Sequence, residues 1–376
     1  MKEKFSLKDE LFNPKKVNLI ACEIEQVYSS FPKELFEKEV VEKFPKLELK
    51  ERIDHIRDTL TKHLPDDFKK ATTILLKALP PELDNEKQDD DFGDFIYAPY
   101  AEFVALHGCT KEHIDFSLDA LCQITKRFSV EFAIRFFINN FPKETLKSLK
   151  VCSLSDNYHQ RRLASEGIRP KLPWGKKVDI DYRVGLELLE NLYFDKTRFV
   201  TRSVANHLND ISKLDASLVL ETLKRWEKSS KQDKKEMDFI ISHSLRTLVK
   251  NGDKDTMIFL GFPIEPAIKV KNFKLLKEEV LMGESLEFDF EIKADKDVGL
   301  IVDYILHFCT KSNALSAKVH KIKKLHMKIG ETKKIKKSHH FKKNMSTRKL
   351  YVGLHKVELQ INGKIYESVE FQLNEL

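Results

Sequence analysis

The sequence has few of the features that announce the commonest enzyme chemistries. Its five cysteines (Cys22, Cys109, Cys122, Cys152 and Cys309) are scattered and include no CxxC pair. That spacing argues against a disulfide framework, a thiolate metal site or a cysteine nucleophile, and reads them as free buried thiols. The 13 histidines form no HxxxH or HExxH pattern, and His339-His340 is merely an adjacent pair in a lysine-rich stretch. There is no glycine-rich phosphate loop. No metal and no cofactor is expected. No apolar run reaches the ~18 residues of a membrane span, and the start, "MKEKFSLKDELFNPKK", lacks the apolar centre of a signal peptide. The expectation is a cytoplasmic protein with no membrane partner.

What is present points to a packed interior and an uneven charge. The 376 residues are 41% hydrophobic and include 26 Phe, enough for a sizeable core and, at this length, for two domains. The net charge of +7 lies entirely from Glu265 onward, where 22 basic residues face 15 acidic ones. The preceding residues hold 44 of each sign. Between Lys311 and Lys349 there are 14 basic residues and one acid, Glu331. Such an excess is either an electrostatic footprint for a polyanion or a solvated lysine-rich face.

Two kinds of text share the chain. Up to about Phe262 the period is helical: "ERIDHIRDTLTKHL", "FKKATTILLKALP" and "SLVLETLKRW" repeat apolar residues three and four apart. The breaks are short: Pro80-Pro81, the acidic stretch "DNEKQDDDFGDF", Gly108 and Pro142. A faint internal repeat aligns "HQRRLASEG" at His159 with "VTRSVANHL" at Val200 and with "HSLRTLVKNGD" at His243. A recurring helix at a period of about 40 residues suits paired-helix repeats of the HEAT kind. After Pro266 the period becomes two. "ESLEFDFEIKA" turns Leu286, Phe288, Phe290 and Ile292 inward. "HKVELQINGKIYESVEFQL" alternates Val357, Leu359 and Ile361, turns at Asn362-Gly363, and resumes with Ile365, Val369 and Phe371. The predicted architecture is an α-helical HEAT-like repeat solenoid over residues 1–264, followed by an immunoglobulin-like β-sandwich over 265–376.

The polar positions of the helical part are patterned as well. In "RSVANHLNDISK", Val204, Leu208 and Ile211 face the core, which places Ser203, Asn206, His207 and Asp210 on the opposite face near Arg202. One repeat earlier, Arg162, Ser165 and Glu166 form a comparable stripe, and Gly167 supplies a helix stop. The acids on these stripes are either surface residues paired with nearby arginines or part of a site. In "ASEGIRPKLPWG", Trp174, one of only two Trp, follows Pro170 and Pro173, which stiffen its loop. It either folds back to cap the core or holds an aromatic face out for a base or a cation.

The segments "ALPPELD", "DDFGDFIYAPYAEFVALHG", "RFSVEFAIRFFI", "RRLASEGIRPKLPW", "SVANHLNDISK" and "LRTLVKNGD" followed by "FLGF" come in order over roughly residues 79 to 262. Together they resemble the bacterial DNA alkylation repair glycosylases built from HEAT-like repeats, specifically the AlkC branch that carries an immunoglobulin-like C-terminal domain. Ile168 and Lys171 replace that pattern's more usual Thr and Arg, and the resemblance implies a weaker phosphate contact at Lys171 than an arginine's bidentate one. The resemblance implies a monofunctional DNA glycosylase. Its substrates would be bases made cationic by alkylation, such as 3-methyladenine and 3-methylcytosine, in base excision repair. It assigns the chemistry to Glu131 in "SVEFAIR", to Glu166, to Trp174 and to Asp210.

Such a site needs no metal. Loss of a cationic base leaves a neutral leaving group and an oxocarbenium-like sugar, so the protein must stabilise positive charge and place a water. Asp210 is expected to do both, with Glu166 and Glu131 assisting and Trp174 against the lesion. Arg162, Arg169, Arg202 and Arg246 are expected to grip phosphates, with Arg348 and Lys349 of "STRKLY" as contacts from the β-domain. The implied partner is double-stranded DNA containing alkylated bases, bound by a monomer. Two other readings stay open: a non-catalytic HEAT-repeat module that binds damaged or bent DNA, and a protein–protein scaffold.

Overall fold

The structure is a computed structural model that describes residues 6–86, 92–312, 314–343 and 348–375. Part of the acidic break, Lys87–Asp91, lies outside the described residues, as do Ser346 and Thr347 of "STRKLY". The chain divides into two compact units, one of Met1–Asp215 and Glu221–Ser244, the other of Ala216–Leu220 and Leu245–Leu376.

The first unit is helical, and local chemistry explains where its helices begin. Asp67 accepts a hydrogen bond from the Lys70 amide at 2.7 Å and so caps the Phe68–Lys77 helix. That helix then buries Phe68, Ala71, Thr72, Ile74 and Leu75, at the expected spacing of three and four. Asn157 caps the Tyr158–Glu166 helix in the same way, through the His159 amide at 3.0 Å. Successive helices Tyr158–Glu166, Arg198–Ile211 and Lys234–Ser244 pack side by side, as a repeat stack requires. Ion pairs staple one repeat to the next: Arg161 to Asp195, then Arg198 to Glu236. The third member of the stack ends at Ser244, so the alignment at His243 is offset; Arg246 opens a short helix, Arg246–Asn251, of the other unit.

The second unit is a sandwich of eight strands among the described residues: β1 (Ile268–Leu275), β2 (Glu279–Leu281), β3 (Ser285–Ala294), β4 (Val298–Cys309), β5 (Leu315–Met327), β6 (Thr332–His340), β7 (Gly353–Ile361) and β8 (Lys364–Asn374). One sheet has the order β1-β3-β6 and the other β2-β8-β7-β4-β5. All pairs are antiparallel except β2 with β8. Leu286, Phe288, Phe290 and Ile292 of β3 meet Val357, Leu359 and Ile361 of β7 in one buried cluster.

The predicted hairpin forms, with Asn362 at φ 47° and Gly363 at φ 79°. On β8, however, Phe371 is buried but Ile365 is half exposed. The β7–β8 register shifts next to the turn, where Gln360 pairs with Ile365 and Leu359 with Glu367. The extra residue there breaks the alternation that was expected to turn Ile365 inward.

The same turn is a joint within this unit. Asn362 donates from Nδ2 to the Pro263 and Gly299 carbonyls and accepts at Oδ1 from the Ile301 amide. A Cβ on Gly363 would lie 2.4 Å from the Gly252 Cα, so two backbones touch where no side chain fits. The lysine-rich text becomes β5 and β6, each an edge strand of its own sheet. Lysine on an edge also blocks strand-to-strand aggregation, which gives these residues a structural use independent of any partner.

Candidate active site

The helix Arg198–Ile211 is buried almost all round, and this departs from the sequence reading. Ser203, His207 and Asp210 were expected on an outward polar face; they are buried at the seam with the helix Tyr158–Glu166. Ser203 donates its hydroxyl to Glu166 at 2.5 Å. His207 donates from Nδ1 to the Ser165 carbonyl at 3.1 Å. Burial, helped by the Arg169 charge, pushes the His207 imidazole down to about 3, so it stays neutral. The apolar stripe was read correctly, but the polar stripe is a second contact face rather than a surface.

At that seam the charges form one ladder. Lys213 donates to Asp210 at 3.1 Å. Arg169 donates to Asp210 at 3.0 Å and to Glu166 at 2.6 Å. Arg162 lies 3.9 Å from Glu166 and 3.5 Å from Glu131. Ser129 donates its hydroxyl to Glu131 and accepts from Arg162 at 2.5 Å. Three acids thus alternate with three bases, and Asp210, Glu166, Arg162 and Arg169 are all buried. Burial alone would push the Glu166 carboxyl up, but Arg162 and Arg169 outweigh it and hold it below its ordinary value. Burial would likewise push the Arg169 guanidinium down; Glu166 and Asp210 reverse that and raise it.

The expectation that Arg162 and Arg169 grip phosphates is therefore corrected. Their guanidinium groups are buried counter-charges; Arg162 also lies over the Phe199 ring at 4.5 Å. Arg202 is half-buried on the Arg198–Ile211 helix. In the other unit, Arg348 lies over the Phe308 ring at 4.1 Å, and Lys349 is exposed beside Tyr351.

The loop after Glu166 projects its tryptophan. Gly167 ends the helix in right-handed conformation, so the expected left-handed stop is absent. Glycine is needed instead because a Cβ would lie 2.8 Å from Ile134. Leu172 to Gly175 then form a turn closed by the Gly175 amide on the Leu172 carbonyl at 3.2 Å. Pro173 takes the position proline prefers, and Trp174 takes the next one at φ 63°. That position normally belongs to glycine or asparagine, and a bulky residue there stores about 1–2 kcal/mol of strain. Trp174 is 72% exposed, so it is not a core cap.

Arg135 holds this loop and escaped the sequence reading. It is buried and donates to the carbonyls of Gly167 at 2.8 Å and Arg169 at 3.0 Å, and to that of Lys176. Burial first, then the Arg169 charge, lowers its guanidinium to about 10, still protonated at neutral pH. Lys50 adds an outer tie, donating to the Trp174 carbonyl at 2.6 Å.

Trp174 and Glu131 line one cavity of about 540 Å³. Phenylalanines 92, 95, 128, 132 and 136 cover much of its wall. Lys50 and Asp54 of the Leu49–His63 helix and Glu102 of the Ala98–Gly108 helix also line it. Glu166 and Asp210 do not line it. The water-placing role expected of Asp210 does not fit a carboxylate buried behind Arg169, at 2% exposure. No cluster of three or more His, Cys, Asp or Glu able to hold a metal occurs among the described residues. No helix among them is long and apolar enough to cross a membrane.

A helical-repeat body with an aromatic and carboxylate-lined cavity, in one chain with an immunoglobulin-like sandwich, is the AlkC type of architecture. The chain is similar to the Pseudomonas fluorescens alkylpurine DNA glycosylase AlkC, solved bound to DNA containing an abasic site analog. The match has a TM-score of 0.87 at 28% identity and covers 98% of this chain and 100% of that one. Residues 269–375 match the family model described as the C-terminal Ig-like domain of the uncharacterised protein YhaZ. The uncharacterized protein YhaZ of Bacillus subtilis (strain 168) is 32% identical over 97% of this chain and 98% of its own length. The chain belongs to the YhaZ family of AlkC-like proteins.

The geometry separates residues that hold the site from the residue it displays. Arg135→Lys keeps the charge but loses the fork that reaches three carbonyls, and should destabilise the protein by about 2–4 kcal/mol. Trp174→Asn removes a mostly exposed ring from a conformation asparagine tolerates, and should change stability by less than about 1 kcal/mol. Urea unfolding of both variants is the check; equal losses would contradict this division.

Proposed function

We propose that the chain is a DNA glycosylase that hydrolyses the N-glycosidic bond of bases made cationic by alkylation, 3-methyladenine and 3-methylcytosine among them. One observation carries the reading: an exposed, strained Trp174 and the Glu131 carboxyl share a cavity, in a fold that matches end to end a glycosylase solved on DNA containing an abasic site analog. The cationic base lies against the electron-rich ring of Trp174. Glu131 faces the sugar and stabilises the positive charge that develops there. Glu166 and Asp210 contribute through the fixed field of the ladder, without touching the substrate. A pure DNA-binding module has no use for a carboxylate in its groove, where it would repel phosphates, and this disfavours the non-catalytic alternative.

The β-domain supplies non-specific grip through its basic edges. Lys318, Lys321, Lys323 and Lys336 on β5 and β6 are exposed and make no hydrogen bond or ion pair among the described residues, though Lys321 lies across from Asp303 of β4. Arg348 and Lys349 extend the basic surface of this domain.

Incubation with methylated duplex DNA in chelator should release 3-methyladenine, identified by mass spectrometry. Glu131→Gln should slow single-turnover release by about 10²–10³-fold while binding to abasic DNA persists. No release by the natural protein would refute the glycosylase. The grip is tested separately by a salt titration of DNA binding. Replacing the four lysines by Ala should flatten the log–log slope by roughly 3–4 units if each meets a phosphate. An unchanged slope would leave them as edge protection alone.

A further inference from the structure

Hydrolysis needs a group that the ladder does not provide. The attacking water must lose a proton, and the group that takes it must be basic and unencumbered. Glu131 is already hydrogen-bonded by Ser129 and faced by Arg162. Glu166 and Asp210 are saturated by arginine, lysine and serine, and lie outside the cavity. These groups suit charge stabilisation, not proton transfer.

We propose that Glu102, an unpaired carboxylate on the wall of the same cavity, is the general base that accepts the proton from the attacking water. This rests on the glycosylase reading. Glu102 lies between buried Ala101 and Phe103 on the Ala98–Gly108 helix, half-buried itself, with no hydrogen bond or ion pair among the described residues. Burial first, then the like charge of Asp54, raises its carboxyl to about 7, against weaker pulls from Arg57 and Lys50. Asp54, Arg57 and Lys50 approach from the Leu49–His63 helix, and Glu131 and Lys176 line the rest of the cavity. A base poised near neutrality combines ionisation with proton affinity.

The step balances. The C1′–N bond breaks, and its electron pair goes to the cationic base, which leaves neutral. A water oxygen bonds to C1′, and one water proton passes to the Glu102 carboxylate, which returns it to solvent. The product is an abasic site.

The test is single-turnover release of 3-methyladenine from methylated duplex DNA between pH 5.5 and 8.5. The natural protein should gain about tenfold per pH unit up to about 7 and then level off. Glu102→Gln should lose that limb and slow by about 10²–10⁴-fold at pH 8, while Glu102→Asp restores a limb. Thermal unfolding reads the same group without activity. The folded state keeps the Glu102 proton to about 7 and the unfolded chain releases it near 4.5, so the natural protein loses stability as pH rises between those values. The Tm of Glu102→Gln should therefore exceed that of the natural protein at pH 8. Base release with the acid limb intact in Glu102→Gln overturns this proposal alone. No release by the natural protein at any pH overturns the glycosylase reading as well.

Discussion

Arg169 is shared between Glu166 and Asp210, and the rest of the site depends on that bridge. It joins the helix Tyr158–Glu166 to the helix Arg198–Ile211 at a buried seam. An ionised carboxylate buried without a partner costs several kcal/mol. Here each acid has a base on either side, Lys213 and Arg169 for Asp210, Arg169 and Arg162 for Glu166. The arrangement fixes helix spacing and charge position together. A field that is already in place when positive charge appears on a sugar needs no reorganisation, and this makes such a field effective in catalysis.

The loop from Gly167 to Lys176 is built on this foundation. Arg135 reaches from the Ile134–Asn140 helix to three carbonyls at the two ends of the loop, which frees its middle to carry strain. Trp174 sits where glycine belongs, at φ 63°. Stability does not favour that placement, because the ring is exposed and the backbone strained. The proposed function accounts for it as presentation to a ligand, and residues in sparsely populated conformations concentrate at functional sites. The turn, the buried arginine and the exposed ring form one device: rigid support, strained tip, aromatic face.

Much of this was legible in the sequence, and the misses share a cause. Period three-to-four and period two located the helical unit and the strands, because each element buries one face and the period is geometric. Asn362-Gly363 announced its turn because few residues accept positive φ at both positions. The polar stripe of Ser203, His207 and Asp210 misled, since periodicity shows which residues share a face and not what covers it. Arg162 and Arg169 were read as phosphate grips for the same reason: a basic residue looks alike in sequence whether it meets a phosphate or a buried carboxylate. Arg135 and Glu102 gave no signal at all. The partners of Arg135 lie far away in the chain, and Glu102 is distinguished by the contacts it lacks. The thiols of Cys122 and Cys152, 30 residues apart, approach to 3.0 Å, which scattered cysteines could not reveal.

The central claim is that the Arg169–Asp210 bridge is a coupled, buried pair on which the site rests. A double-mutant cycle on Arg169→Gln and Asp210→Asn, measured as unfolding free energy in urea, tests it most directly. Each single change takes one partner from a buried charge and should cost about 3–5 kcal/mol. The double variant strands neither partner of the bridge, so its loss should fall short of the sum by at least about 2 kcal/mol. Strictly additive losses would mean that the two side chains do not depend on each other, and the account built on the ladder would fail.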